Sequence, residues 1–132
     1  MKKLILFLFL SFFAQKSVSQ NTEQLSAIQK QTYELKTVQV APEFIGGEEK
    51  FVEYINMKFK KPKEDKQITG TIYCNFIVDM DGSIRKVVIT KDLGKKIGKQ
   101  LIKVLEKSPK WLPGEHEGYH VKTKIEFSFD VN

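Results

Sequence analysis

The last stretch of the chain, 119–132, alternates between apolar and polar side chains up to its final residue. The side chains on one side of this alternation are Val121, Thr123, Ile125, Phe127, Phe129 and Val131. A sustained period of two is typical of a long strand with one buried face. A terminal strand often lies at the edge of a sheet, where its unpaired N–H and C=O groups can bind another chain.

Earlier in the chain the spacing of apolar residues is that of a helix. The residues at i, i+3, i+4 and i+8 are Phe51, Tyr54, Ile55 and Phe59. This spacing predicts an amphipathic helix. The acidic pair at 48–49 suits the positive end of the helix, and Pro62 ends it.

A β-hairpin is predicted between 71 and 90. The segment 71–79 alternates, the turn at 79–82 contains Gly82 for a positive φ, and 84–90 is the partner strand. The two aspartates of the turn do not have the spacing of an EF-hand calcium loop. A further short strand is predicted around Val38 and Val40, before Pro42.

A second helix is predicted over 94–107, and one side of it is basic. Its basic residues fall within an arc of roughly 120°; they are Lys95, Lys96, Lys99, Lys103 and Lys107. Such a stripe can dock on an anionic surface, and the simpler alternative is a solvated face that keeps the domain soluble. The order of the elements predicts an α+β fold. We expect a small antiparallel sheet of about three strands, with two helices packed on one face.

The N-terminus has the pattern of a secretory signal peptide. Two lysines precede the apolar run at 4–14, and small residues at 17 and 19 suit cleavage before Gln20. We expect a signal peptide at 1–19, a flexible lead-in at 20–37 and one domain at 38–132. The alternative is that residues 4–14 are retained as a membrane anchor.

Charge and candidate chemistry favour binding over catalysis. The formal net charge is +6, of which three positive charges lie in the predicted signal peptide. The single cysteine, Cys74, allows no intrachain disulfide and is expected in the core. His116 and His120 have a spacing that can hold a metal on a helix, but Gly114 and Gly118 indicate a loop. We expect no catalytic site, no metal and no cofactor.

Several landmarks in a fixed order resemble one family. They are the segment 42–49 before the first helix, the turn at 79–84, and 108–114 before the final alternating strand. Together they resemble the TonB C-terminal domain in its Bacteroidetes form, over about 38–132. Lys61–Pro62 stands where that family usually has Tyr-Pro, and the chain has no proline-rich spacer.

The resemblance implies a periplasmic domain that binds the N-terminal segment of an outer-membrane receptor along the edge of its last strand. The residues implied are Val121, Lys122, Thr123, Lys124, Ile125, Glu126 and Phe127. Our first hypothesis is an exported binding module for a protein or peptide, not for nucleic acid. It would contact a membrane only if the N-terminus is retained, and it can form a homodimer through its terminal strand.

Two alternatives remain open. With 4–14 retained as an anchor, the chain would be a short energy transducer for outer-membrane receptors. In a different class, the lysine-rich face would make it a structural or polysaccharide-binding envelope protein.

Overall fold

This computed structural model describes residues 22–132, and the predicted signal peptide lies outside them. The chain divides after Gln31, so the helical residues 22–30, called α1, are separate from the unit Thr32–Asn132. The predicted lead-in at 20–37 therefore contains a helix. The predicted domain starts at 38, whereas the sheet already includes Thr32, since a strand forms there.

Two helices and five strands form the unit Thr32–Asn132. In chain order they are β1 (Thr32–Glu34), α2 (Glu48–Lys58), β2 (Gly70–Val78), β3 (Ile84–Lys91), α3 (Lys95–Glu106), β4 (Gly114–His116) and β5 (Tyr119–Val131), with a short 3-10 turn at Lys63–Asp65. The strand order is β1-β5-β2-β3, and β4 pairs with β5.

The sheet is larger than predicted, and it is mixed. The three antiparallel strands expected from the sequence are β2, β3 and β5. β1 adds a parallel strand beside β5, and β4 adds a short antiparallel one. Each of these two has three residues, too few for a repeating pattern to be recognised. The strand predicted around Val38 and Val40 is only an isolated bridge from Val40 to Glu115.

Both helices pack on one face of the sheet, as predicted. The pairing of β2 with β5 runs from Gly70 and Val131 to Val78 and Thr123 without a register shift, so alternate residues of the two strands share a face. The core residues on this face and on the helices include Ile72, Phe76, Phe129, Phe51, Ile55, Ile97, Leu101 and Leu105. The Tyr54 hydroxyl donates to the Val104 carbonyl oxygen at 2.9 Å and joins α2 to α3.

The predicted turn between β2 and β3 is confirmed, and Gly82 is required there. Its φ is +86°, and a Cβ at this position would overlap the carbonyl oxygen of Trp111. The N–H of Trp111 in turn donates to the Gly82 carbonyl at 2.8 Å. Asp81 accepts from the Ser83 N–H at 2.9 Å, and hydrogen bonds with Ser83 lower the pKa of Asp81. The hairpin end is thereby fixed against the segment that leads to β4.

Candidate functional site

β5 has different partners along its two sides. β2 pairs with it from Thr123 to Val131, and β1 pairs with Lys122–Lys124 on the opposite side. On that opposite side, no strand within 22–132 pairs with Ile125–Val131. In a strand, the N–H and C=O of one residue point to the same side, and successive residues alternate between the two sides. The second half of β5 is therefore an open edge in the described part of the chain.

The seven residues implied by the resemblance fall into two groups. Val121 pairs with Gly114 of β4, and Lys122–Lys124 pair with Thr32–Glu34 of β1. Ile125–Phe127 belong to the open edge. Peptide binding at these residues stays a prediction, but the structure places a neighbouring strand beside the first four. The sequence missed β1 because its three residues carry no periodic pattern.

One anchoring side chain holds β1 against the rest of the unit. Tyr33 is 7% exposed, and its ring lies 4.9 Å from the ring of His116. The residues on either side of it in β1, Thr32 and Glu34, are exposed. The loop predicted around His116 is a short hairpin, in which Gly118 has a positive φ. His116 is thus a packing partner of Tyr33, and His120 lies 3.5 Å from Glu115.

A cleft of about 280 Å³ opens beside the open edge. Its apolar lining consists of Leu35, Ala41, Pro42, Phe44, Phe51, Trp111, Ile125 and Phe127, and its acidic lining of Glu43, Glu48 and Glu126. Trp111 is 8% exposed and its ring lies 4.8 Å from that of Phe51, so Trp111 is part of the core. The cleft joins residues within 35–51 to residue 111 and to 125–127, which are far apart in the chain, so sequence spacing could not predict it.

Comparison with known proteins identifies the family. The family model for the C-terminal domain of the Gram-negative bacterial TonB protein matches residues 56–131, which is more than half of the chain. The chain belongs to the TonB C-terminal family. The fold is also similar to the NMR solution structure of the Helicobacter pylori TonB C-terminal domain, with a TM-score of 0.50 and 18% identity over 64% of this chain and 90% of that one. No curated protein sequence gives a match.

TonB C-terminal domains form a non-enzymatic protein-interaction family that takes part in energy transduction to outer-membrane receptors. TonB-type domains belong to the envelope of Gram-negative bacteria. Among residues 22–132, no helix is long and apolar enough to cross a bilayer.

The lysine stripe of this TonB C-terminal domain lies along α3. Lys95 begins the helix, and the Lys96 ammonium lies 3.3 Å from a carboxylate oxygen of Glu64. A backbone hydrogen bond and then Lys96 lower the pKa of Glu64. Lys99, Lys103 and Lys107 are exposed, and none of them forms an ion pair with another described residue. Docking on this face stays a prediction.

Cys74 lies on the inner face of β2 and is 3% exposed, which confirms the prediction that it is a core residue. Burial raises the pKa of its thiol to about 11. A thiol with this pKa is almost fully protonated at neutral pH, and the thiolate is the reactive form. The burial of Cys74 and its raised pKa therefore support a role in core packing.

Proposed function

We propose that this TonB C-terminal domain binds a protein partner in the Gram-negative envelope by adding an extended segment of that partner to β5. The observation that carries the proposal is the open edge at Ile125–Val131. Seven residues of strand are about 23 Å long, enough for a short peptide to form several main-chain hydrogen bonds. The partner we favour is the periplasmic N-terminal segment of an outer-membrane receptor. The role is binding, with no cofactor.

The regularity of β5 supports this role. Its register with β2 has no shift from Val131 to Thr123, so the open side is also regular. A regular edge presents its N–H and C=O groups at the spacing that an incoming strand needs. The inner face of β5 is held by the core through Phe129 and Val131, which are 7% and 2% exposed. The edge is therefore preorganised, and less free energy is lost in ordering it on binding.

The position of β1 narrows the proposed site. With β1 in place, a partner can pair only with Ile125–Val131. The range implied by the resemblance, 121–127, would become available only after β1 leaves. These two arrangements protect different amides from hydrogen exchange, so one measurement distinguishes them.

The test uses the full chain and peptides selected from a display library of random decapeptides. We expect a selected peptide to slow amide exchange between Ile125 and Val131, and to leave the exchange of β3, Ile84–Lys91, unchanged. Slowed exchange that includes Lys122–Lys124 would indicate displacement of β1. Slowed exchange confined to β3 or α3 would contradict the proposal.

Two double charge reversals separate strand addition from the lysine-face alternative. Lys122→Glu with Lys124→Glu changes the outer face of β5, and Lys99→Glu with Lys103→Glu makes the same charge change on α3. We expect the first pair to alter peptide affinity and the second to leave it unchanged. None of the four lysines forms an ion pair with another described residue, and even an exposed ion pair contributes only about 0.2–1 kcal/mol, so the melting temperature should change little. Equal effects of both pairs on peptide affinity would contradict a specific role of the β5 face.

A second candidate function rests on the exposed lysines of α3. Lys99, Lys103 and Lys107 have no ion-pair partner among the described residues, so this face can attract an anionic glycan or lipid surface. Retention on vesicles that contain anionic lipid measures it. The α3 double reversal should lower retention at low salt, and unchanged retention would leave these lysines as solubility residues.

We further propose that the chain is exported and cleaved before Gln20. The intact mass of the protein from fractionated cells tests this proposal. A species that starts at Gln20 in the periplasmic fraction supports a free binding module. A full-length species in the inner membrane would instead support the anchored energy transducer. Sedimentation of the same material would detect a homodimer formed through the β5 edge.

A further inference from the structure

The cleft and the open edge of β5 share two residues. Ile125 and Phe127 line the cleft and also belong to the edge that has no described strand partner. Both are partly buried and face the same side as the core residues of β5. A strand added beside them would direct every second side chain toward that side of the sheet. At least one side chain of an added strand would therefore lie over the cleft.

The cleft has the size and lining for an apolar side chain. Its volume of about 280 Å³ is at the lower limit of small-molecule sites, which occupy about 300–1,000 Å³. Aromatic rings of Phe44, Phe51 and Trp111 form part of its lining. The aromatic pair Phe44–Trp111 has its ring centroids 5.7 Å apart. The chain itself places Leu35 against this cleft, directly before Lys36.

The charge of the cleft is opposite to that of the protein. The chain has a formal net charge of +6, but the lining contains Glu43, Glu48 and Glu126 and no lysine, arginine or histidine. All three glutamates are exposed, and none forms an ion pair with another described residue. Such a local reversal of charge attracts a cation on the partner.

The register of β1 shows where that cation would lie. Along the outer face of β5, Lys122 is in register with Thr32 and Lys124 with Glu34. Glu126 is the next outward residue, and on the side of β1 no described residue is in register with it. Residues directly opposite one another on neighbouring strands interact favourably when their charges are opposite. An added residue opposite Glu126 would be favoured if it were basic.

We propose that the cleft selects, among strands added to β5, those that carry a large apolar side chain directly next to a lysine or arginine. The apolar side chain would enter the cleft, and its basic neighbour would point to the outer face near Glu126. This inference rests on the proposed function, because it concerns a segment already paired with β5.

The test uses the full chain and four fluorescent synthetic decapeptides on a common threonine and valine background. They differ only at two adjacent central positions, which are leucine–lysine, leucine–glutamate, alanine–lysine and alanine–glutamate. We expect leucine in place of alanine to raise affinity about tenfold. We expect lysine in place of glutamate to raise it about threefold at low salt, and less at high salt because of screening.

Matched protein variants assign the charge preference to Glu126. Glu48 also lines the cleft and is exposed like Glu126, and neither forms an ion pair with another described residue, but Glu48 lies on α2, which covers the inner face of the sheet. Glu126→Lys should abolish the preference for lysine, and Glu48→Lys should retain it. Equal loss in Glu126→Lys and Glu48→Lys would assign the preference to general charge and overturn the inference.

Amide exchange of the same complexes separates this inference from the proposed function. If all four peptides slow exchange at Ile125–Val131 with equal affinity, strand addition stands and selection by the cleft is overturned. If none slows exchange there, the proposed function fails and the inference fails with it. The expected result is slowed exchange at this edge together with the affinity order that places leucine–lysine first.

Discussion

Two edges of the sheet, along β3 and along the second half of β5, are built differently. β5 keeps a continuous register with β2, whereas the register of β3 with β2 shifts twice. From Asn75 to Ile77, β2 advances two residues while β3 advances three, and Thr90 has no partner at the other shift. Bulges and charged residues are common means of protecting an edge from unwanted pairing. Of these two edges, the β5 edge has the more regular register.

The side chains at the two edges reinforce this difference. β3 carries three basic residues, Arg85, Lys86 and Lys91, and Lys86 has a positive φ of 50°. The β5 edge has the cleft beside it, and Phe127 packs 4.9 Å from Phe51 across that cleft. An edge with an adjoining apolar cleft can offer a partner both main-chain hydrogen bonds and a buried side-chain contact. An open edge is therefore a candidate site when both its register and the residues beside it favour a partner.

The largest expected effect comes from removing the cleft lining at Trp111. Trp111→Ala should lower the free energy of unfolding by about 3–5 kcal/mol, because the ring is buried against Phe51 and Phe76. Val88→Ala on β3 should cost less than about 0.5 kcal/mol, because Val88 is 50% exposed. Urea unfolding measures both, and Trp111→Phe serves as the control that retains a ring. Equal losses of unfolding free energy in Trp111→Ala and Val88→Ala would contradict the expected energetic difference between the two edges.

A smaller effect is expected at alkaline pH from Cys74 on β2, the strand that both edges share. Burial raises the pKa of its thiol from 9.0 to about 11, so the folded chain holds this proton more tightly than the unfolded chain does. The corresponding stability is fully present below about pH 9 and is lost as pH rises toward 11. Burial also raises the pKa of Tyr54, so the wild type must be compared with Cys74→Ala.

Urea unfolding at a series of pH values from 8 to 11 measures this difference. We expect the wild type to lose more stability than Cys74→Ala over that range. Iodoacetamide labelling at pH 8 gives an independent readout, and the native thiol should react far more slowly than the unfolded one. If the free energies of unfolding of the wild type and of Cys74→Ala fell in parallel with pH, ionisation of the thiol would make no contribution to the loss of stability.

The smallest expected effect is a gain at the β3 edge. A non-glycine residue in the left-handed region costs about 1–2 kcal/mol, and glycine loses about 0.5–1 kcal/mol in chain entropy. Lys86→Gly should therefore raise the free energy of unfolding by about 0.5 kcal/mol. Lys91→Gly is the matched control, because Lys91 has no positive φ and lies 5.6 Å from the Tyr73 ring. A loss in both variants would show that the β3 bulge is not strained.

Much of the fold could be predicted because its long elements carry repeated patterns. β5, the hairpin around Gly82 and the helix with Phe51 each show a period or a turn signal that depends only on neighbouring residues. β1 and β4 were missed, since three residues contain too little pattern. The sequence predicted an edge along β5, whereas the structure places β1 beside Lys122–Lys124, so that within residues 22–132 only Ile125–Val131 have no strand on that side.

The sequence by itself determined that the last strand has one buried face, that Cys74 lies in the core, and that two helices cover one face of a sheet in which β2, β3 and β5 are antiparallel. These features follow from local periodicity and from the free energy of burying apolar surface. Only the tertiary structure decided that β1 lies beside Lys122–Lys124 and that the cleft gathers Leu35, Glu48 and Glu126. Such contacts join residues far apart in the chain, so no local spacing encodes them.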